Sequence, residues 1–198
     1  MGEIRSAIDI ALEKAANIQQ DSACAQNRAV KNKGIKAAAE FLTNGDSALF
    51  EQNVSECSAA DRQTFCEGAY SVLFAAVKLP ATFQDIQRFD TAARACAVLC
   101  DNPSLPDFMQ NGSMILNQYM QEKEQLKNML AQQYMPKLRQ KEQELARLYG
   151  QGIHLEPEQD PEFADLLRKQ VQQLSARYTA AIDQLLEHLS LMTGCTAE

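Results

Sequence analysis

The sequence predicts an all-α protein, and three observations carry that prediction. Apolar residues recur at steps of three and four along most of the chain, the spacing that puts them on one helix face. The commonest residues include Ala, Gln, Leu, Glu and Lys, which keep most of their rotamer freedom in a helix, while Trp is absent. Only 8 Gly and 6 Pro occur in 198 residues, so chain reversals are few and the helices should be few and long.

The first helix is carried by Ile4, Ile8, Ala11, Leu12, Ala15 and Ile18 on one face. A linker is expected at Asp21–Ser22, then an Ala-rich helix over 23–43 with Gly34 as a candidate break. Gly45 suits the left-handed position after a helix, and Asp46 suits the cap of the next, a short one from Ser47 to about Glu56. Ser58-Ala59-Ala60-Asp61 resembles a capping box and should open a buried helix running to Leu79, ended by Pro80. Thr82 with Asp85 opens another, whose inward face holds Phe83, Ile86, Phe89, Ala93, Cys96 and Cys100. Asn102 to Pro106 is the next connector. Residues 1–102 thus read as a helical bundle.

Residues 103–198 read differently, as a long antiparallel helical hairpin of coiled-coil type. One helix-compatible stretch runs from about Gly112 to Tyr149, interrupted only by Pro136. A loop follows at 150–161, and Asp160-Pro161-Glu162 is a strong restart: a cap, a proline in the first turn, and an acid at the positive helix end. The last helix carries a heptad-like seam of Leu167, Val171, Leu174, Tyr178, Ala181, Leu185 and Met192, with His188 interrupting and Leu189 beside it. The earlier arm has a rougher seam of Tyr119, Leu126, Leu130, Tyr134, Leu138, Leu145 and Leu148, weakened at Glu122/Lys123 and Lys141/Glu142. Each arm would be roughly 50 Å long at 1.5 Å per residue. Ile115, Met120, Met129, Met135 and Leu166 fall off these seams, and covering them with a second pair of arms predicts a homo-oligomer.

Charge and composition narrow the function classes. The net charge is −7, and the acidic excess is shared: 13 acids against 10 bases in residues 1–102, 13 against 9 in 103–198. Neither half offers the positive footprint that nucleic acid needs. The one basic run, Arg28, Lys31, Lys33 and Lys36, spreads around a helix and makes no single stripe. No apolar run approaches the ~20 residues of a bilayer span, so no membrane insertion is expected. The start, MGEIRSAIDIALEKA, lacks a signal-peptide pattern, which predicts a cytoplasmic protein whose six cysteines are reduced.

No catalytic or cofactor motif stands out. Cys96 and Cys100, four apart, point to one side of a helix, and Cys66 and Cys57 fall on or near its neighbour; four thiolates of this kind could hold zinc or an iron–sulfur cluster. The competing reading makes Cys96 and Cys100 small hydrophobes on the apolar stripe with Phe89 and Ala93. Cys24 and Cys195 read as incidental. His154 and His188 lie at opposite ends of the last arm, so no Ser-His-Asp or Cys-His set is expected. The acidic stretch from Glu156 to Asp165 matches no EF-hand, and no Gly-rich phosphate loop occurs. No cofactor is assigned.

The opening Met-Gly-Glu-Ile-Arg-Ser-Ala-Ile-Asp-Ile-Ala-Leu-Glu-Lys, the segment Tyr134-Met135-Pro136-Lys137-Leu138-Arg139-Gln140-Lys141-Glu142 and the segment Pro157-Glu158-Gln159-Asp160-Pro161-Glu162-Phe163 resemble an uncharacterised bacterial family of about this length. The resemblance implies a bacterial cytosolic protein and brings no activity or site residues. The functional reading is a non-enzymatic interaction or scaffold protein with protein partners. The alternative is a metal or thiol redox sensor or enzyme built on Cys57, Cys66, Cys96 and Cys100.

Overall fold

A computed structural model describes the backbone of residues 7–100, 102–150 and 154–195, with side chains from residue 24 onward. The described residues form six α-helices, one 3-10 turn and no strand: α1 (Ala7–Asn44), α2 (Ser47–Ser55), α3 (Arg62–Ala75), α4 (Phe83–Leu99), α5 (Leu105–Tyr149), the turn Pro157–Gln159, and α6 (Pro161–Thr193). The protein is all-α, as its sequence predicts. Contacts gather the chain into two units. The first comprises the described residues within 1–76, 91–106 and 189–198; the second comprises those within 77–90 and 107–188.

In the first unit, α1 is continuous, so neither the linker expected at Asp21–Ser22 nor the break at Gly34 occurs. Gly34 has another role. A Cβ there would stand 2.1 Å from the carbonyl oxygen of Phe65, and a Cβ on Gly68 would stand 2.1 Å from that of Lys31. The two glycines are reciprocal notches that let the backbones of α1 and α3 touch. A glycine in a helix interior costs roughly 0.5–1 kcal/mol against alanine, and here the close approach requires it. Gly45 (φ +68°) then stops α1, and Asp46 Oδ1 accepts the N–H groups of Ala48 (3.1 Å) and Leu49 (3.2 Å) to start α2. Phe41 and Phe50 pack across that turn with ring centroids 5.0 Å apart.

Two element boundaries differ from the sequence reading. Helix α3 ends at Ala75, not Leu79, and the Ala76 N–H bonds the Leu73 carbonyl in a tightened last turn. Pro80 in helical register would strike the carbonyl of Ala76. Helix α5 starts at Leu105, not Gly112: the Asn102 side chain accepts the Ser104 N–H (3.0 Å), and Pro106 falls in the first turn, where a missing N–H costs nothing. Gly112 lies well inside α5, buried, where a Cβ would meet Leu185 Cδ1 at 2.7 Å and Phe89 Cζ at 2.8 Å. Helix α5 also continues through Pro136.

Within the second unit α5 and α6 run antiparallel. Gly112 meets Leu185, Tyr119 packs edge-on to Tyr178 at 5.2 Å, and Tyr134 packs on Phe163 at 5.4 Å. From each pair to the next, α5 advances as many residues as α6 retreats, seven and then fifteen. The Tyr119 and Ser175 hydroxyls lie 3.0 Å apart on the same register. The buried positions of α6 are Phe163, Leu174, Tyr178, Ile182, Leu185 and Leu189, so Ile182 takes the place expected of Ala181, and Leu189 is buried beside His188. Phe163 and Leu174 are eleven residues apart, as are Tyr119 and Leu130 on α5; an eleven-residue step suits nearly straight helices better than a sustained heptad supercoil.

The weak places in the α5 seam are filled by polar contacts between the arms. Lys141 Nζ donates to Asp160 Oδ2 and Glu162 Oε2, both at 2.6 Å. Lys137 reaches the same Glu162 oxygen at 2.8 Å. The Tyr134 hydroxyl lies 2.9 Å from Asp160 Oδ2 and 3.1 Å from Glu162 Oε2, so its one proton serves one of them at a time. Asp160 is buried, and its other oxygen caps α6 by accepting the Glu162 N–H at 3.0 Å. Hydrogen bonds from Lys141, and from Lys137 first in the case of Glu162, hold both carboxyls below their usual range, Glu162 at about 2. Glu142 accepts the Leu155 N–H (2.9 Å), tying the connection to α5.

Two outcomes are expected. Replacing Gly34 or Gly68 with Ala should destabilise the chain by about 3 kcal/mol, since a backbone carbonyl cannot yield as a side chain can; urea unfolding measures it. Carboxyls with depressed folded pKa values stabilise above their ordinary range and lose that stabilisation as pH falls through the folded values. The Tm gap between wild type and Asp160→Asn should therefore be full at pH 7 and shrink as pH falls below the ordinary carboxyl range of about 4. A gap that does not change with pH would contradict the assignment.

Candidate functional site

Each cysteine singled out in the sequence lies in the first unit. Cys96 is buried in α4, and burial, then the neighbouring Cys100, pushes its thiol up to about 12. Cys66, half-buried in α3, is raised by burial first, with Cys195, Cys57 and Cys100 adding to it. Cys57, in the α2–α3 connection, is raised by burial and then by Asp61, against smaller opposing effects of Arg62 and Lys33. The Cys100 thiol lies 3.7 Å from the Met192 carbonyl oxygen as a weak donor. Cys195, read as incidental, belongs with Cys66 and Cys100: it is raised by burial, Glu67 and Cys100. Only its distance in sequence hid it, because nothing local to Cys195 signals which helix end it joins. All six cysteines are free, and Cys24 is exposed. Among the described residues, no three or more His, Cys, Asp or Glu side chains gather as ligands for a metal ion.

The histidines stay apart. His154 Nδ1 lies 2.9 Å from Glu142 Oε1, largely in solvent, while His188 stacks on Phe108 at 5.0 Å. The acidic stretch divides its charges among local partners: Glu158 pairs with Lys127 (3.1 Å), Asp165 with Arg168 (2.7 Å), and Asp160 and Glu162 with Lys141.

Two concave surfaces among the described residues have the volume to hold a ligand or partner side chains, one on each unit. In the first unit a cleft of about 450 Å³ lies between α1 and the α2–α3 connection. Lys33, Lys36 and Glu40 line it from α1, and Glu56, Cys57 and Asp61 line it from the connection. Part of the basic run singled out in the sequence thus faces a cleft, which required knowing that the α2–α3 connection packs opposite it.

In the second unit a groove of about 510 Å³ is lined by Ala81, Phe83, Met120, Leu167 and Val171. Phe83, expected on the inward face of its helix, is 64 % exposed. Asp85 explains this: its carboxylate accepts the N–H groups of Ala81 and Thr82 (both 2.9 Å), so Phe83 lies in the cap itself, ahead of the buried stripe that begins at Ile86. Lys123 closes one side of the groove, its ammonium donating to the Ala81 carbonyl at 3.5 Å and standing 5.9 Å over the Tyr119 ring. Of the five off-seam apolar residues, Ile115, Met120 and Met135 are partly covered within the unit, whereas Met129 (48 %) and Leu166 (37 %) are exposed.

Among the described residues no helix is long and apolar enough to cross a membrane. No curated protein and no solved structure matches the chain. A model of a family of unknown function, DUF6657, matches residues 51–190, which is more than half of the chain, and the chain belongs to that family.

The thiols generate a direct expectation. A thiolate reacts and a thiol does not. With a maleimide at pH 7 the native chain should label at exposed Cys24 within minutes, and at Cys96 only after unfolding. Labelling of Cys96 as fast as Cys24, read by peptide mass spectrometry, would contradict the burial that raises its pKa.

Proposed function

We propose that this member of DUF6657 is a non-enzymatic protein-interaction or scaffold protein that self-associates through the groove of its second unit. The observation that supports this most is the apolar lining of that groove, with Phe83 exposed at its edge. A ring of this size left in water is costly, and covering it gains roughly 25 cal/mol per Å². Met129 and Leu166 add exposed apolar surface on the two helices that line the groove. The rim sets Lys123 and Lys127 beside Glu124, a mixed pattern that does not repel a second copy of itself. A bacterial, cytoplasmic setting fits six free thiols and the family resemblance. The thiol or redox alternative has the opposing physics: burial raises Cys57, Cys66 and Cys96 and keeps them protonated.

Light scattering tests the proposal. The full chain at tens of micromolar should have the mass of a dimer or larger. Phe83→Glu with Met120→Glu should reduce it to a monomer while leaving the helical circular dichroism unchanged, since a carboxylate buried at the contact would lack a partner. Met129→Glu with Leu166→Glu should weaken association in the same direction. A monomeric wild type would overturn the proposal.

A further inference from the structure

The cleft of the first unit has a feature that the interaction reading does not use. Its floor is apolar and fixed: Ala37 and Phe65 are buried, and they flank the crossing at which Gly34 rests on the Phe65 carbonyl. Its lining carries charge of both signs. Lys33 and Lys36 stand one turn apart on α1, with Glu40 one turn beyond Lys36, while Glu56 and Asp61 stand at the end of α2 and just before α3. Among the described residues neither lysine is ion-paired with any carboxylate of the cleft. Glu56 is held by Gln52 (2.8 Å) and Asp61 by Ser58 (2.8 Å), so both carboxylates keep further lone pairs open. Lys33 and Asp61 both act electrostatically on the Cys57 thiol, which places cation and anion around the same space. The volume lies in the range of small-molecule sites.

A ligand with one sign of charge would satisfy one wall and face repulsion from the other. We propose that the cleft binds a small zwitterion of the amino-acid class, its carboxylate held by Lys33 and Lys36, its ammonium by Glu56 and Asp61, and its side chain against Ala37 and Phe65. Charge-assisted hydrogen bonds of both polarities then form at once, and the ligand supplies the bridge that the protein's own side chains do not make.

The test uses the full, ¹⁵N-labelled chain and amide NMR spectra. Each of the twenty standard L-amino acids is titrated to 10 mM, with acetate and ethylamine as controls of a single charge. At least one amino acid should shift the amides of Ala37, Ser58 and Phe65 saturably, and neither control should. Lys33→Met with Lys36→Met, and separately Glu56→Gln with Asp61→Asn, should each weaken binding roughly tenfold or more, as expected for loss of hydrogen bonds to charged groups. Phe83→Glu, in the other unit, should leave it unchanged, which separates this site from the groove. Both charge variants alter exposed or half-exposed side chains, and circular dichroism checks that each folds. No saturable shift with any amino acid would overturn the proposal. So would acetate binding as tightly as the best amino acid, or binding indifferent to either pair of substitutions.

Discussion

The first unit depends on the contact of two backbones. Where α1 crosses α3, Gly34 rests on the Phe65 carbonyl and Gly68 on that of Lys31, with no side chain between them. Helices packed through side chains stand 8–10 Å apart, and a pair of glycines removes the spacer from both. Everything nearby inherits that closeness. Ala37, Ala38 and Ala69 are buried beside the crossing and are small, as the short distance demands. Larger groups, Phe41, Phe50, Tyr70 and Phe74, are also buried in this unit, where an aromatic volume can be filled. The cleft lined by Lys33 and Asp61 lies on the flank of the same crossing.

The second unit solves a different problem. Two long helices pack through large residues, and their stripe is interrupted where α5 places charged residues. Lys141 alone would leave an unpaired, half-buried charge beside an apolar seam, but Asp160 and Glu162 approach from the start of α6 and Tyr134 from the preceding turns of α5. Asp160 thereby does two things: one oxygen caps the helix that it precedes, the other receives the lysine. The polar cluster is satisfied, and among the described residues no buried side-chain nitrogen or oxygen lacks a hydrogen-bond partner.

How much of this was legible in the sequence follows from the range of each signal. Local signals are legible: Gly45 with Asp46, Thr82 with Asp85, and Asp160-Pro161-Glu162 each act within four residues, and each starts or stops a helix as its chemistry dictates. Gly34 reads as a break, because a glycine that breaks a helix and a glycine that admits a neighbour look alike until the neighbour is known. The weak points of the α5 seam misled for the same reason, since Lys141 reads as a fault until Asp160 is opposite it. Cys195 and the meeting of Lys33 with Asp61 across a cleft are products of long-range packing and leave no local trace. The cysteines at 57, 66, 96 and 100 lie in one unit, while their reactivity depends on burial that no spacing reveals.

The even register between α5 and α6 also limits how relatives of this chain can vary. Each contact advances along one helix as it retreats along the other, from Gly112 to Tyr134 without a slip. A residue inserted at mid-helix would turn every position beyond it by about 100° and lead tyrosines and glycine alike away from their partners. Point substitutions can accumulate along such arms; changes of length cannot, unless they come in matched pairs. Such a change finds room at Gly150, where the backbone leaves the helical path (φ +100°) and a Cβ would meet no atom within 4 Å.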